Sequence, residues 1–121
     1  MIGFDGLTLV EASVSEASAH LKVRLEAGSV LVDGHFPGEP VLPGVSHLAL
    51  VQEAAERLER RPVLVSGLRN FRLRQVVRPG DVIDVHVTRT PTPFELRFEL
   101  RVADAVASSG ILTLAPEPSR G

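Results

Sequence analysis

The chain has 121 residues, of which 44% are hydrophobic, 23% are charged and none is cysteine. These values are typical of one globular domain, and they exclude a disulfide framework, a thiolate zinc site and a cysteine nucleophile. The net charge of −2 and the absence of tyrosine and tryptophan argue against nucleic-acid binding. The apolar runs are much shorter than the roughly 20 residues of a membrane span, and the first residues have no basic signal-peptide region. We therefore expect a cytoplasmic protein with no membrane or nucleic-acid partner.

Alternation of apolar and polar residues dominates the sequence and predicts strands. The predicted strands cover residues 7–14, 20–26, 64–74, 81–90, 94–102 and 106–114. Turn-forming residues at 78–81 and 90–93 separate the later strands. His20 and His86 fall on the polar faces of their strands, and we expect both at the surface.

One segment, residues 44–61, breaks this alternation and is rich in helix formers. Its apolar residues fall on one side of a helix, and Pro62 then stops it. That side carries Leu48, Val51, Ala54, Ala55 and Leu58. A single amphipathic helix must bury its apolar side against the sheet. The sequence therefore predicts an α+β fold over residues 1–115, with one antiparallel sheet wrapped around a long central helix, and a flexible tail over 116–121.

The segment before the helix, residues 34–45, contains three prolines and three glycines among its twelve residues and reads GHFPGEPVLPGV. Such a composition predicts a rigid, extended loop that leads into the helix. His35 on this loop is a candidate acid–base group, and the N–H groups near Gly44 and Val45 are candidate donors to an oxyanion. A purely structural loop explains the same residues.

The stretch from His35 to Val45 closely resembles the signature of the β-hydroxyacyl-acyl carrier protein dehydratases, which have a hotdog fold. Residues 66–81 resemble the strand and turn that follow the helix in that family, so the resemblance covers roughly residues 5–114. It implies an active site at a dimer interface, beside a tunnel for the acyl chain. It implies no cofactor, and no histidine and carboxylate pair has convincing metal-ligand spacing.

The resemblance also assigns roles to residues. His35 would remove the proton at C2 of a 3-hydroxyacyl thioester, and the Gly44 amide would polarise the thioester carbonyl. Substrate contacts are implied for Phe36, Pro43, Val45 and Ala49. The family has Glu or Asp fourteen residues after the histidine, where this chain has Ala49. A methyl group cannot donate the proton that the departing hydroxyl needs.

Three explanations of this replacement stay open. Glu53, one helical turn beyond Ala49, is a candidate surrogate acid, although it also fits a solvated helix face. His47 lies on the apolar side, where a buried and hydrogen-bonded core histidine is expected. In the second explanation, a related hotdog subunit supplies the carboxylic acid in a mixed dimer. In the third, the chain is a non-catalytic hotdog subunit that binds an acyl chain or a partner dehydratase, or it is a hotdog thioesterase.

Six arginines lie between residues 60 and 78, and no acidic residue follows until Asp81. Since acyl carrier proteins are acidic, we expect a carrier protein to dock at Arg69, Arg72, Arg74 and Arg78. Ordinary solvation of a strand face, with ion pairs to Glu95 and Glu99, explains the arginines equally well. We also expect a homodimer or heterodimer that pairs two sheet edges, which protects an exposed edge strand.

Overall fold

Six strands and one helix make up the described part of the chain in a computed structural model, which describes residues 7–26 and 44–116 without the side chains of residues 44 and 45. Each predicted strand is present, with ends within two residues of the prediction. The elements are β1 Leu7–Val14, β2 Ser18–Leu25, α1 Gly44–Glu59, β3 Val65–Leu73, β4 Val82–Arg89, β5 Glu95–Val102 and β6 Ala105–Leu114.

The strands form a single antiparallel sheet in the order β1-β2-β4-β5-β6-β3. Helix α1 packs on β2, β4 and β5, which places it across the middle of the sheet. Strands β1 and β3 are the two edges. This arrangement is the predicted α+β hotdog fold.

The core lies between α1 and the face of the sheet that the helix covers. Alternate residues of the central strands are buried there, as in β2, where Leu21, Val23 and Leu25 have no exposed surface. Their neighbours point to the opposite face of the sheet, which we call the outer face, because successive side chains of a strand alternate. The outer face carries the charged residues that the sequence places between the apolar ones.

The buried side of α1 differs slightly from the prediction. Val51, Ala54, Ala55 and Leu58 are buried as expected, but Leu48 is only partly buried and Leu50 is completely buried. The buried positions from His47 onward keep the spacing of one helical face, and Leu48 lies at its margin, toward β3. The helix also ends at Glu59, earlier than the predicted segment, because Arg60 adopts a left-handed conformation with φ of 59°.

The predicted turn before β4 depends on Gly80, whose φ is 95°. Asp81 donates its backbone N–H to the Arg78 carbonyl at 3.0 Å, and Pro79 and Gly80 stand at the two central positions. Proline followed by a residue with positive φ is the preferred sequence of a type II turn. A second glycine, Gly110, is required by packing, since a Cβ there would lie 2.7 Å from Cζ of Phe98.

Helix α1 has 16 residues, and no helix in residues 7–26 and 44–116 is long and apolar enough to cross a membrane.

Candidate functional site

Helix α1 begins at Gly44, the residue predicted to donate its amide to the substrate. The first N–H groups of a helix have no partner within it and carry the positive end of its dipole, so this end of α1 is suited to a developing oxyanion. The predicted base His35, together with Phe36 and Pro43, lies outside the described residues. Of Val45, only its backbone position in the first turn is described.

Ala49 lies in an apolar cavity of about 300 Å³ between the helix and the edge of the sheet. Its lining residues come from α1, β3 and β6, namely Leu48, Ala49, Gln52, Val65, Leu68 and Leu112. A cavity of this size and character suits a hydrocarbon chain. The described lining residues include no carboxylate, and Gln52 is the polar residue among them, so none of them supplies an acid at the position where the resemblance expects one.

Glu53, the candidate surrogate acid, is partly buried and pairs with a residue of its own helix. Arg57 Nε donates to Glu53 Oε2 at 3.2 Å, an ion pair between residues one turn apart. Glu53 is absent from the described lining of the Ala49 cavity. A role as acid would require this ion pair to be broken or shared, so the geometry gives the surrogate little support.

His47 is a buried core histidine, as predicted. It has no exposed surface, and its Nδ1 lies 2.8 Å from Ser108 Oγ on β6. The hydrogen bond links α1 to β6 across the core. His47 is therefore held in the interior of its own subunit.

The four predicted docking arginines have different surroundings. Arg69 forms an ion pair with Glu95, which is one of the pairs that the alternative explanation expected. The pKa of the Glu95 carboxyl is lowered, chiefly by a hydrogen bond from Thr90. Desolvation opposes this effect, and the charge and the hydrogen bond of Arg69 lower the pKa further. Glu99 pairs with Arg101 on its own strand instead of with the arginines of β3.

Arg72 and Arg74 are exposed and line a pocket on the outer face, together with Arg97 of β5. Arg78 lies in the turn before β4, where its backbone N–H donates to Asp81 Oδ2 at 2.8 Å. The structure thus brings Arg72 and Arg74 together and separates them from Arg78. Sequence reasoning missed Arg97, because only the strand register reveals which residues of β5 lie beside β3.

Two histidines meet on the outer face. His20 and His86 are directly opposite each other on β2 and β4, and their rings stack at 4.2 Å with an angle of 3° between planes. His86 is exposed as predicted, but His20 is partly buried and its Nε2 lies 2.9 Å from Asp84 Oδ1. The surface prediction for His20 was therefore wrong in part, since the stacked ring and the carboxylate cover it. Desolvation and then the neighbouring His20 lower the pKa of His86.

Within the two described ranges, no group of three or more histidine, aspartate or glutamate side chains could hold a metal ion.

The sheet wrapped on one helix, with an apolar cavity beside the N-terminal half of that helix, defines a hotdog-fold protein. Comparison with known proteins identifies the family within that class. A family model described as "ApeI-like: ApeI dehydratase" matches residues 11–111, and the chain belongs to this dehydratase family.

Curated relatives are similar over part of their length. The chain is 35% identical to a 3-hydroxyacyl-[acyl-carrier-protein] dehydratase FabZ from Lactobacillus helveticus, over 72% of this chain and 66% of that protein. It is 37% identical to the FabZ of Latilactobacillus sakei, over 70% of this chain and 63% of that protein. The chain thus spans slightly less than two thirds of the length of these relatives.

Solved structures have the same fold. The Dehydratase Heterocomplex ApeI:P from Xenorhabdus doucetiae matches with a TM-score of 0.81 and 21% identity, over 90% of this chain and 97% of that one. The PaaI protein from the phenylacetic acid degradation operon of E. coli matches with a TM-score of 0.65 and 14% identity, over 89% of this chain and 82% of that one. At such identities these neighbours show the fold alone.

Proposed function

We propose that the chain takes part in the dehydration of a 3-hydroxyacyl thioester carried on acyl carrier protein, in fatty-acid or polyketide synthesis. The observation that carries this proposal is the apolar cavity at Ala49, which lies beside the N-terminal half of α1 and suits an acyl chain. Membership of the dehydratase family and the names of the FabZ relatives support the reaction.

The proposed reaction breaks two bonds and forms one double bond. His35 takes the proton from C2 of the substrate, and the negative charge that develops on the thioester oxygen is stabilised by the N–H of Gly44 at the start of α1. The hydroxyl group on C3 leaves with a proton from an acid, so that a C2–C3 double bond and water are the products. Phe36, Pro43, Val45 and Ala49 are the proposed substrate contacts.

The acid in this scheme comes from a second chain. Ala49 supplies only a methyl group, and Glu53 is engaged with Arg57. A related hotdog subunit that carries the carboxylic acid would complete the site that uses His35. The solved dehydratase neighbour is itself described as a heterocomplex, which supports this form of the proposal.

A second candidate function follows from the same cavity. Because its described lining contains no carboxylate, the chain also fits a non-catalytic subunit that binds an acyl chain or stabilises a partner dehydratase. The two functions differ in whether His35 matters for turnover.

For carrier-protein docking, the exposed arginines of β3 and the following turn remain the proposed surface. Arg69 contributes less than expected, since Glu95 neutralises it, whereas Arg72, Arg74 and Arg78 keep exposed side chains. An acidic carrier protein would be attracted to this surface, and the attraction would weaken with salt.

The remaining parts of the proposal concern the chain as a whole. We propose one domain over residues 1–115, a tail over 116–121 and a cytoplasmic location. The hydrogen bond from the Ala115 N–H to the Leu64 carbonyl, at 2.8 Å, supports a domain that extends to this residue.

The test is mass spectrometry of a 3-hydroxyacyl-acyl carrier protein incubated with the purified chain, with candidate partner subunits and with both. We expect loss of water with the pair, little with this chain alone, and none when the pair contains His35→Ala. Turnover that survives His35→Ala would contradict the catalytic role and favour the non-catalytic subunit.

Restoring the acid gives a second arm of the same test. Ala49→Glu should let the chain dehydrate the substrate without a partner, because the carboxyl group then lies where the family has one. Gln52→Glu is the matched control, since it adds the same charge to the same cavity at another position. Equal activity of the two variants would show that any nearby carboxylate suffices.

A further inference from the structure

A second concavity lies on the outer face of the sheet, away from α1 and from the Ala49 cavity. This outer-face pocket has a volume of about 520 Å³, within the range of small-molecule sites. It is lined by Asn70, Arg72, Arg74, His86, Thr88, Arg97, Phe98, Glu99, Ser109, Gly110 and Ile111.

The strand register explains how distant residues meet in the pocket. One cross-strand row runs from His86 through Glu99 and Ser109 to Arg72, and the next row runs from Thr88 through Arg97 to Ile111. Alternate residues of neighbouring strands share a face, so both rows point outward. Four strands therefore contribute side chains to one site.

A bulge in β3 is what adds Arg72 to this face. Arg69 pairs with Ile111 and Arg72 with Ser109, so β3 has one residue more than β6 between these pairs, and Asn70 takes up the extra length with φ of 55°. An extra residue reverses the alternation of the strand. Phe71 consequently packs toward the core and Phe98, while Arg72 lies on the outer face.

The pocket has an excess of positive charge. It contains three guanidinium groups, those of Arg72, Arg74 and Arg97, and one carboxylate, that of Glu99. Glu99 is already paired with Arg101. Within the described residues, the side chains of Arg72, Arg74 and Arg97 form no ion pair, in contrast to Arg57, Arg69, Arg89 and Arg101.

Neutral hydrogen-bonding groups lie beside these cations. Asn70, Thr88 and Ser109 add an amide and two hydroxyl groups to the lining. Guanidinium groups bind phosphate oxygens through paired hydrogen bonds, and neutral donors complete the coordination of such an anion.

We propose that the outer-face pocket binds a small phosphate-bearing anion, of the size and charge of a diphosphate group. Three cations facing one concavity match an anion with two or three negative charges. A concave site of this volume fits a small molecule, and two of its arginines, Arg72 and Arg74, are shared with the surface proposed for carrier-protein docking. The proposal does not rest on the proposed dehydration, because its residues lie on the other side of the sheet from Ala49.

Isothermal titration calorimetry of the full chain with sodium diphosphate, in low-salt buffer without other phosphate, tests the proposal. We expect saturable binding of one diphosphate per chain, weakened about tenfold or more by Arg97→Gln, as expected for the loss of one charge-assisted hydrogen bond. Arg74→Gln is a second variant with an exposed side chain in the same pocket. Arg24→Gln is the matched control, because it removes an exposed arginine of β2 outside the pocket lining.

A comparison of ligands separates two sources of the anion. Similar binding of diphosphate and ADP means that the site recognises the phosphates alone. Tighter binding of ADP, with adenosine inactive, identifies a nucleotide-like ligand that still requires the phosphates.

Three results would overturn the proposal. The first is the absence of saturable diphosphate binding. The second is an equal loss of binding in Arg24→Gln, which would show diffuse attraction. The third is binding of an acidic carrier protein that depends on Arg97 without any binding of diphosphate, which would make the pocket part of a protein-docking surface.

Discussion

Ser108 holds the imidazole of His47 in the interior of the subunit. Both side chains are completely buried, and the distance between His47 Nδ1 and Ser108 Oγ is 2.8 Å. Removal of one partner leaves a buried polar atom without this hydrogen bond, which costs more than the bond itself contributes. The pair therefore matters for stability.

We predict that Ser108→Ala lowers the free energy of unfolding by about 1–3 kcal/mol. Urea denaturation followed by circular dichroism measures the change. Ser109→Ala is the control, since Ser109 is the next residue of the same strand but lies on the outer face, and a change within about 0.5 kcal/mol is expected. Equal effects of the two substitutions would contradict the role of the buried hydrogen bond.

His86 gives a pH-dependent prediction. Its pKa lies below the ordinary value of 6.5 because of desolvation and the nearby His20, against the opposing effects of Asp84 and Glu99, and Arg101 lowers it further. His20→Gln removes a charge and a stacked ring, so the pKa of His86 should rise toward 6.5. NMR titration of the His86 ring measures the change, and Lys22→Gln, on the same strand face, should leave the titration unchanged.

The sign of the stability effect follows from the same shift. His86 binds a proton more readily in the unfolded chain than in the folded one, so protonation favours unfolding. The contribution of neutral His86 to the free energy of unfolding is complete above pH 6.5 and is lost as the pH falls through the folded-state pKa. His20→Gln should make this part of the pH dependence shallower.

At the scale of single residues, the sequence predicts features that are set by one helix or strand. It misses contacts that depend on how two neighbouring strands pair. The burial of His47 follows from its position on the helix. The stacking of His20 on His86 and the place of Arg97 beside Arg72 require the register of neighbouring strands. The roles of His35 and of the missing acid at Ala49 come from resemblance and stay predictions.

At the scale of the elements, β6 and β5 approach closely at one position. Gly110 lies opposite Phe98, and a Cβ at Gly110 would be 2.7 Å from Cζ and 2.8 Å from Cε2 of this buried ring. The Arg69 carbonyl oxygen, at 3.3 Å, limits movement in another direction. The strand therefore needs glycine here for reasons of space.

We predict that Gly110→Ala destabilises the protein by about 1–3 kcal/mol through overpacking. Gly67→Ala is the matched control in β3, where the nearest side-chain atom, Thr113 Cβ, would lie at an ordinary 3.6 Å. Thermal unfolding of both variants measures the loss of stability that each substitution causes. A Gly110→Ala variant as stable as Gly67→Ala would show that the Phe98 ring can move aside at little cost.

The central strands β2, β4, β5 and β6 were predictable because each has one buried face, which imposes an alternating pattern. The end of α1 was less predictable. Pro62 marks the latest residue at which the helix can continue, but the chain leaves the helix at Arg60 by adopting a left-handed conformation that its side chain does not favour. The sequence does mark the bulge in β3, which the strand prediction passed over, because Arg69 and Asn70 are two polar residues in succession between Leu68 and Phe71 and so interrupt the alternation.

At the scale of the whole molecule, both edge strands expose apolar side chains. In β3, Leu68 is 39% exposed, and in β1 Val10 is 45% exposed. An exposed apolar edge strand is protected when it pairs with another sheet. The proposed dimer uses β3, which is the edge next to the Ala49 cavity.

We predict that Leu68→Glu weakens dimerisation, because it places a charge at this edge. Val10→Glu introduces the same charge at the opposite edge and serves as the control. Sedimentation velocity over a range of concentrations measures both. If Val10→Glu dissociates the dimer and Leu68→Glu does not, the interface lies at β1.

The strand order also has a consequence for the chain as it leaves the ribosome. Strand β3 is complete at Leu73, but its only neighbour in the described sheet, β6, begins at Ala105. During synthesis of the intervening residues, β3 has no strand to pair with, and its apolar side chains are open to aggregation. We therefore expect the nascent chain to depend most on chaperones in this interval, and the sheet to close only when its last strand has been made.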